Sequence, residues 1–234
     1  MNTFNSVLPD DSIAQPLLSL SETSALLFDM DGTIVNNMIY HHQAWQELLG
    51  ELGLDWPIER VQAQIWGKNE DIFQRIFPGK YSVEQVRELA LKKERRYIEC
   101  YTPHARMISG LEQLLTTAKD AGVKLAIATA APQICLDFVM DFFKLDRFFD
   151  AVVHADEVTQ SKPHPECYLV AAARIGVKPD RCIVFEDAPV GVKSAEAAGI
   201  RSFVLLTTHK EEEFKVFPSV KGFLHDYESV QLVR

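Results

Sequence analysis

A chain of 234 residues, 47% of them apolar, can bury one sizeable core, or one core with a smaller inserted module. Its net charge of −9 and its lack of a dense basic cluster exclude ordinary electrostatic binding to nucleic acid or an anionic membrane. No apolar run is long enough to span a bilayer, and the opening residues, with Asp10, Asp11 and Glu22, lack the basic start and apolar stretch of a secretory signal.

In chain order, the residues up to about 23 are rich in Ser, Pro and Asp and read as a loose arm with no assigned role. Short apolar runs follow at 25–28, 124–128, 151–153, 182–185 and 202–206. Each is bounded by polar or glycine-containing segments, as buried parallel strands are. Between them, 110–121, 165–175 and 189–198 carry helical periodicity. The first of these places Leu111, Leu114, Leu115 and Ala118 on one face, with Gly122 at the C-cap. This alternation predicts an α/β fold built on an open parallel sheet with helices on both faces.

Residues 36–103 break the rhythm, because only helical spacing appears there. Ala44, Trp45, Leu48, Leu49 and Leu52 repeat along 38–54, Trp56-Pro57 interrupts the pattern, and 83–101 forms a long charged helix that stops at Thr102-Pro103. The expected organisation is a core of 1–35 and 104–234 with a helical cap, 36–103, over the carboxyl edge of the sheet, hinged near Asn36-Asn37 and Thr102-Pro103. Trp45, Trp56 and Trp66 are expected to pack inside the cap or between cap and core. The aromatics at 142–143, 148–149 and 214–217 are expected to close the core, and the chain to be a monomer. Cys100, Cys135, Cys167 and Cys182 lack CxxC spacing and are expected as buried free thiols, which suits a reducing cytoplasm.

A parallel sheet gathers the ends of separate strands into one crevice, so the residues after each apolar run carry the functional reading. The first end reads Phe28-Asp29-Met30-Asp31-Gly32-Thr33, two carboxylates one residue apart with a glycine for a sharp turn. There Asp29 can attack phosphorus, and Asp31 can carry a proton for the leaving oxygen. The second, Ala128-Thr129-Ala130-Ala131-Pro132, offers a hydroxyl and free N–H groups before a helix for phosphoryl oxygens. Lys162, in Ser161-Lys162-Pro163, supplies a fixed cation, and Glu186-Asp187 places two acids at a fourth strand end. A carboxylate nucleophile and a phosphate dianion repel each other, so a cation must sit between them. Asp29 with Asp187, helped by Glu186 and the backbone carbonyl of Asp31, offers the hard oxygens that Mg2+ prefers.

These four motifs, in this order, resemble those of the haloacid dehalogenase superfamily, and the likeness spans almost the whole chain after the arm. It implies a Rossmann-like core. A helical cap after the first motif is similar to the branch that includes β-phosphoglucomutase and sugar-phosphate phosphatases. The resemblance implies Asp29 as nucleophile, Asp31 as acid/base, Thr129 and Lys162 as phosphate binders with Gly32, Thr33 and Ala130 beside them, and Asp187 with Glu186 at magnesium. His41 and Lys93 match a cap-hinge histidine and a cap lysine of the mutase. Two departures bear on the reaction. The mutase's phosphate-binding cap arginine is missing from Gly67-Lys68-Asn69-Glu70-Asp71, where Lys68 is a partial substitute, and a second-motif serine is Ala131 here. Losing two phosphate contacts weakens a mutase more than a hydrolase. The favoured reading is a phosphatase acting on a small phosphorylated metabolite. A mutase comes second, and a pyrophosphatase or a silent binding module further behind.

Overall fold

The computed structural model describes residues 17–233. Residues 1–16, most of the expected arm, lie outside it. After β1 (Leu17–Ser19) and β2 (Ala25–Phe28) come four helices, α1 (Met38–Glu51), α2 (Ile58–Gln64), α3 (Asn69–Ile76) and α4 (Val83–Tyr101). Then α5 (Leu111–Asp120), β3 (Lys124–Ala128), α6 (Gln133–Phe143), β4 (Ala151–Val153) and α7 (Glu166–Arg174) alternate. The chain continues through β5 (Cys182–Glu186), α8 (Pro189–Ala197), β6 (Arg201–Leu205), β7 (Val220–Leu224) and β8 (Gln231–Val233).

Six strands form one parallel sheet in the order β4-β3-β2-β5-β6-β7. Its centre is β2, and the period-two alternation of a strand decides what covers each face. Leu26 and Phe28 point to a layer shared with Leu111, Leu115, Cys135 and Val139 of α5 and α6. Ala25 and Leu27 point to the opposite layer, with Cys167, Tyr168, Ala171 and Ala195 of α7 and α8. Helices therefore cover both faces, and the α/β expectation holds.

The four helices between β2 and β3 gather a cluster of their own, with Trp45, Leu48, Leu49, Val61, Ile72 and Phe73 at its centre. α4 begins at a capping box in which Ser82 and Gln85 satisfy each other's backbone N–H, which fixes its start. Tyr97 and Tyr101 near its end pack with Val35 and Ile108 in the sheet's own apolar layer, so the base of the insertion is anchored to the core.

Several expectations need correction. The arm is not loose throughout, because Leu17–Ser19 pairs in parallel with Gln231–Val233. Three residues make no legible strand alone; only the distant partner supplies the ladder. The sheet has a sixth strand, β7, whose Gly222 lies under the Phe203 ring and breaks the apolar run. Cys100 is exposed, since it sits on the solvent side of α4 beside the buried Tyr101, while Cys135, Cys167 and Cys182 are buried free thiols. Trp66 is 48% exposed with the Arg75 guanidinium carbon 4.0 Å from its ring centroid, whereas Trp45 is buried as expected. Phe142 is exposed too, although Phe148 and Phe214 close the core. Among the described residues no helix is long and apolar enough to cross a membrane.

Candidate active site

Because β2, β3 and β5 are adjacent and parallel, their carboxyl ends bring Asp29, Thr129, Glu186 and Asp187 to one edge of the sheet. Lys162 reaches the same place from the loop before α7. Its Nζ lies 2.6 Å from Asp29 Oδ1 and 2.8 Å from Glu186 Oε1, and all three groups are buried. Asp29, Glu186 and Asp187 each place a carboxylate oxygen within 4.8 Å of the others, a cluster that could hold a metal ion.

The charges in this cluster do not balance. Burial, with Glu186 and Asp31 adding to it and Lys162 offsetting part, raises the Asp29 carboxyl to about 7. Burial, Glu186 and Asp29 push Asp187 well above the carboxylate range as well. For Lys162 burial alone would lower the ammonium, but Asp29 and Glu186 outweigh it and hold it well above its ordinary value. One lysine thus faces three buried acids, and a divalent cation would supply the missing charge.

Glu186 differs from its two neighbours. Oε1 accepts from Lys162 and, at 2.8 Å, from the Tyr168 hydroxyl; Oε2 accepts from the backbone N–H groups of Asp187 and Ala188 at 2.9 and 3.0 Å. With four donors already in place, its first task is to fix Lys162 and the turn that carries Asp187. Gly191 makes room for it, since a Cβ there would lie 1.6 Å from Glu186 Oε1. Gly191→Ala is therefore expected to displace Glu186 and lower stability by about 1–3 kcal/mol, read as a drop in melting temperature. Gly32 has a similar duty. It takes φ +79°, and a Cβ on it would fall 2.1 Å from Asp187 Oδ2.

Thr129 is buried, and its Oγ1 accepts from the Ala131 N–H at 3.0 Å, leaving the hydroxyl proton to donate elsewhere. Ala130 lines the cavity. Thr33 stands apart from it: its side chain is buried, and its carbonyl accepts from the Tyr227 hydroxyl at 2.9 Å. Gly32 and Thr33 shape the loop from behind rather than line the cavity.

The helical insertion contributes a second polar group. His41 Nε2 lies 3.4 Å from Asp31 Oδ1, a close contact without hydrogen-bond alignment, and its ring stacks on Tyr97 at 3.6 Å. Lys93 Nζ is 2.9 Å from His41 Nδ1. Asn37 Nδ2 donates to Asp31 Oδ1 at 2.6 Å and its Oδ1 accepts from the Gly32 N–H. Burial would raise the Asp31 carboxyl, but His41 and Asn37 outweigh it and hold it below its usual value. Asn37 and Tyr168 belong to the site, yet no motif marks either. Each is recruited by folding, and an unremarkable Asn or Tyr carries no signal in a single sequence.

Between sheet edge and insertion lies a cavity of about 1020 Å³. Asp29, Asp31, Thr129, Lys162 and Asp187 line its floor, and His42, Trp45, Trp66, Glu59 and Glu70 line its upper walls. Lys68 is not free to serve as an anion contact here, because Nζ donates to the Val158 carbonyl at 2.6 Å. Nearby, Ser161 Oγ donates to Asp71 Oδ2 at 2.9 Å, so the insertion touches the core immediately before Lys162.

A family model described as haloacid dehalogenase-like hydrolase matches residues 23–199. The chain belongs to the haloacid dehalogenase-like hydrolases. It is 33% identical over 204 residues to Protein CbbY of Rhodobacter capsulatus, covering 80% of this chain and 86% of that protein. It is also 32% identical over 181 residues to fructose-1-phosphate phosphatase YqaB of Escherichia coli (strain K12), covering 76% of this chain and 93% of that one. The crystal structure of β-phosphoglucomutase from Clostridium difficile shares the fold, with a TM-score of 0.76 at 24% identity over 89% of this chain and 93% of that one. The chain is thus an enzyme of the haloacid dehalogenase-like hydrolase family whose relatives include a fructose-1-phosphate phosphatase, and it shares its fold with a β-phosphoglucomutase.

Proposed function

We propose that this hydrolase removes phosphate from a small phosphate monoester, a sugar phosphate, with Mg2+ as cofactor and Asp29 as nucleophile. The observation that carries this reading is the buried Asp29 carboxylate, held 2.6 Å from Lys162 at the floor of a cavity beside two further acids. Asp29, Asp187 and the backbone carbonyl of Asp31 would hold the ion, with Glu186 next to it. When bound it offsets the repulsion between the carboxylates and the phosphate.

An oxygen of Asp29 attacks phosphorus, the bond to the leaving oxygen breaks, and Asp31 gives that oxygen its proton. Water then attacks the aspartyl phosphate, Asp31 takes up the water's proton, and inorganic phosphate leaves with Asp29 restored. Lys162, the Thr129 hydroxyl and the Ala130 N–H stabilise the charge on the phosphoryl oxygens. In the free protein Asp31 is ionised; the arriving phosphate dianion raises its proton affinity and makes it an acid.

Residues 36–103 act as a cap that selects the leaving group and excludes water. Glu70 on the cavity wall and the engaged Lys68 leave this face poorly suited to a second phosphate, which favours hydrolysis of a monophosphate over the mutase reaction. The free thiols among the described residues fit a reducing, cytoplasmic setting, and a monomer is the proposed working form.

The test is phosphate release from sugar phosphates, pyrophosphate and nucleotides with and without Mg2+, with product analysis of a hexose 1-phosphate given a bisphosphate primer. Metal-dependent release from sugar phosphates is expected. Isomerisation without release would replace the phosphatase by the mutase. The two contacts from Lys68 and Asp71 hold the cap down, so the pair Lys68→Met and Ser161→Ala is expected to raise KM roughly 30-fold, at about 1 kcal/mol for each hydrogen bond, with kcat little changed.

A further inference from the structure

Away from the acids around Asp29, the described residues bury one further charged pair, Lys93 and Glu94, with Nζ and Oε2 2.9 Å apart and exposures of 3% and 2%. Burying an ammonium and a carboxylate is costly, and an apolar pair of similar size would serve packing as well. The neighbours of Glu94 suggest what the charge is kept for. Oε1 accepts from Asn69 Nδ2 at 2.9 Å, and Oε2 accepts from Lys93 and from Cys135 Sγ at 3.1 Å.

Those three partners come from three working parts. Asn69 opens α3 between Lys68 and Asp71, the residues that hold the cap to the core. Cys135 lies on α6, which follows the Thr129 loop. Lys93 leads through His41 to Asp31. Through hydrogen bonds as far as His41, and through the 3.4 Å contact of His41 Nε2 with Asp31 Oδ1, Glu94 links the segment that closes over the cavity to the side chain that faces the leaving oxygen.

We propose that Glu94 is a positioning residue that couples seating of the cap segment at Asn69 to the orientation of Asp31, acting through Lys93 and His41. This rests on the reading of Asp31 as the acid for the leaving group. When Asn69 is seated, both Glu94 oxygens are occupied, Lys93 is fixed, and His41 is held against Tyr97 with Nε2 toward Asp31. When the segment lifts, Glu94 loses one partner, and the chain of contacts that aims Asp31 loosens.

A merely structural residue would lower every rate alike, whereas one that aims an acid matters only when the leaving group needs a proton. The experiment compares kcat for the best alkyl phosphate in the panel with kcat for p-nitrophenyl phosphate, whose phenolate departs unprotonated. Glu94→Gln and Asn69→Ala are measured beside wild type and Asp31→Asn, with melting temperatures recorded. Glu94→Gln is expected to lower the alkyl rate about 30-fold, with a loss on the aryl substrate about tenfold smaller, and Asn69→Ala to move the ratio several-fold in the same direction. Asn69→Ala carries the test alone if Glu94→Gln does not fold. Equal losses on both substrates, or an unchanged ratio in both variants, would overturn the proposal. If Asp31→Asn shows no dependence on the leaving group, the acid assignment fails and Glu94 with it. Silence of wild type on both substrates would bring down the phosphatase reading itself.

Discussion

Asp29→Asn is expected to stop phosphate release, by at least about 10⁴-fold, and at the same time to make the metal-free protein more stable. The first effect follows because an amide oxygen is a poor nucleophile and cannot carry a phosphoryl group through the reaction. The second follows from the charge imbalance around Asp29, whose carboxyl is raised by burial from 3.8 to about 7. A carboxyl raised on folding binds more protons in the native state than in the unfolded one, so its contribution is favourable below the unfolded value and is lost as pH rises through the folded one. Metal-free wild type should therefore lose on the order of a few kcal/mol from this group between about pH 4 and 7. The Asn variant should not. Melting curves of both proteins in EDTA at pH 5 and pH 8 check this: the variant should gain over wild type at pH 8 and much less at pH 5. Added Mg2+ should narrow the difference at pH 8 by stabilising wild type. A variant that keeps its turnover would remove Asp29 from the mechanism, and one that melts below wild type at both pH values would remove the charge argument.

Lys162→Met should do the reverse to stability. Its Nζ contacts Asp29, Glu186 and the Tyr168 hydroxyl, so the substitution leaves two buried acids without their cation. The expected cost is about 3–5 kcal/mol near neutral pH, in line with losing one partner of a buried ion pair. Hydrolysis should fall by about 10²- to 10³-fold through loss of charge stabilisation on the phosphoryl oxygens. Acid should rescue the fold in part, because protonated carboxyls need no counterion, and urea unfolding at pH 5 and 7.5 reads the difference directly. An equal cost at both pH values would mean that lost packing, not unpaired charge, accounts for it.

The sheet and the strand-end residues were readable because buried parallel strands are short apolar runs, and because the crevice at their ends collects whatever follows each run. Asp29, Thr129, Glu186 and Asp187 stand at such ends, and Lys162 joins them from a nearby loop. The long α4 was readable as well, through its helical periodicity and its stop at Thr102-Pro103. What escaped were features that only a distant partner creates. Leu17–Ser19 becomes a strand because Gln231–Val233 lies beside it. Tyr168 joins the site because α7 packs under the sheet, which brings its hydroxyl to Glu186. Glu94 looked like one more charge on a charged helix, and nothing in its spacing says that it turns inward to Asn69 and Cys135. Thr33 shows the converse, since this motif position does not line the cavity and its carbonyl is engaged by the Tyr227 hydroxyl.

The bond from the Tyr227 hydroxyl to the Thr33 carbonyl spans 194 positions of chain, and the Thr207 hydroxyl likewise reaches back to the carbonyl of Gly32. The turn that carries Asp29 and Asp31 is thus made early in translation and braced late. A nascent chain on the ribosome holds both carboxylates outside the exit tunnel while their supports are still being synthesised. Contacts of such long separation form slowly and cannot form before Thr207 and Tyr227 have been made. Chains that stop short of Tyr227 therefore carry the full set of upstream motifs without this brace behind the nucleophile.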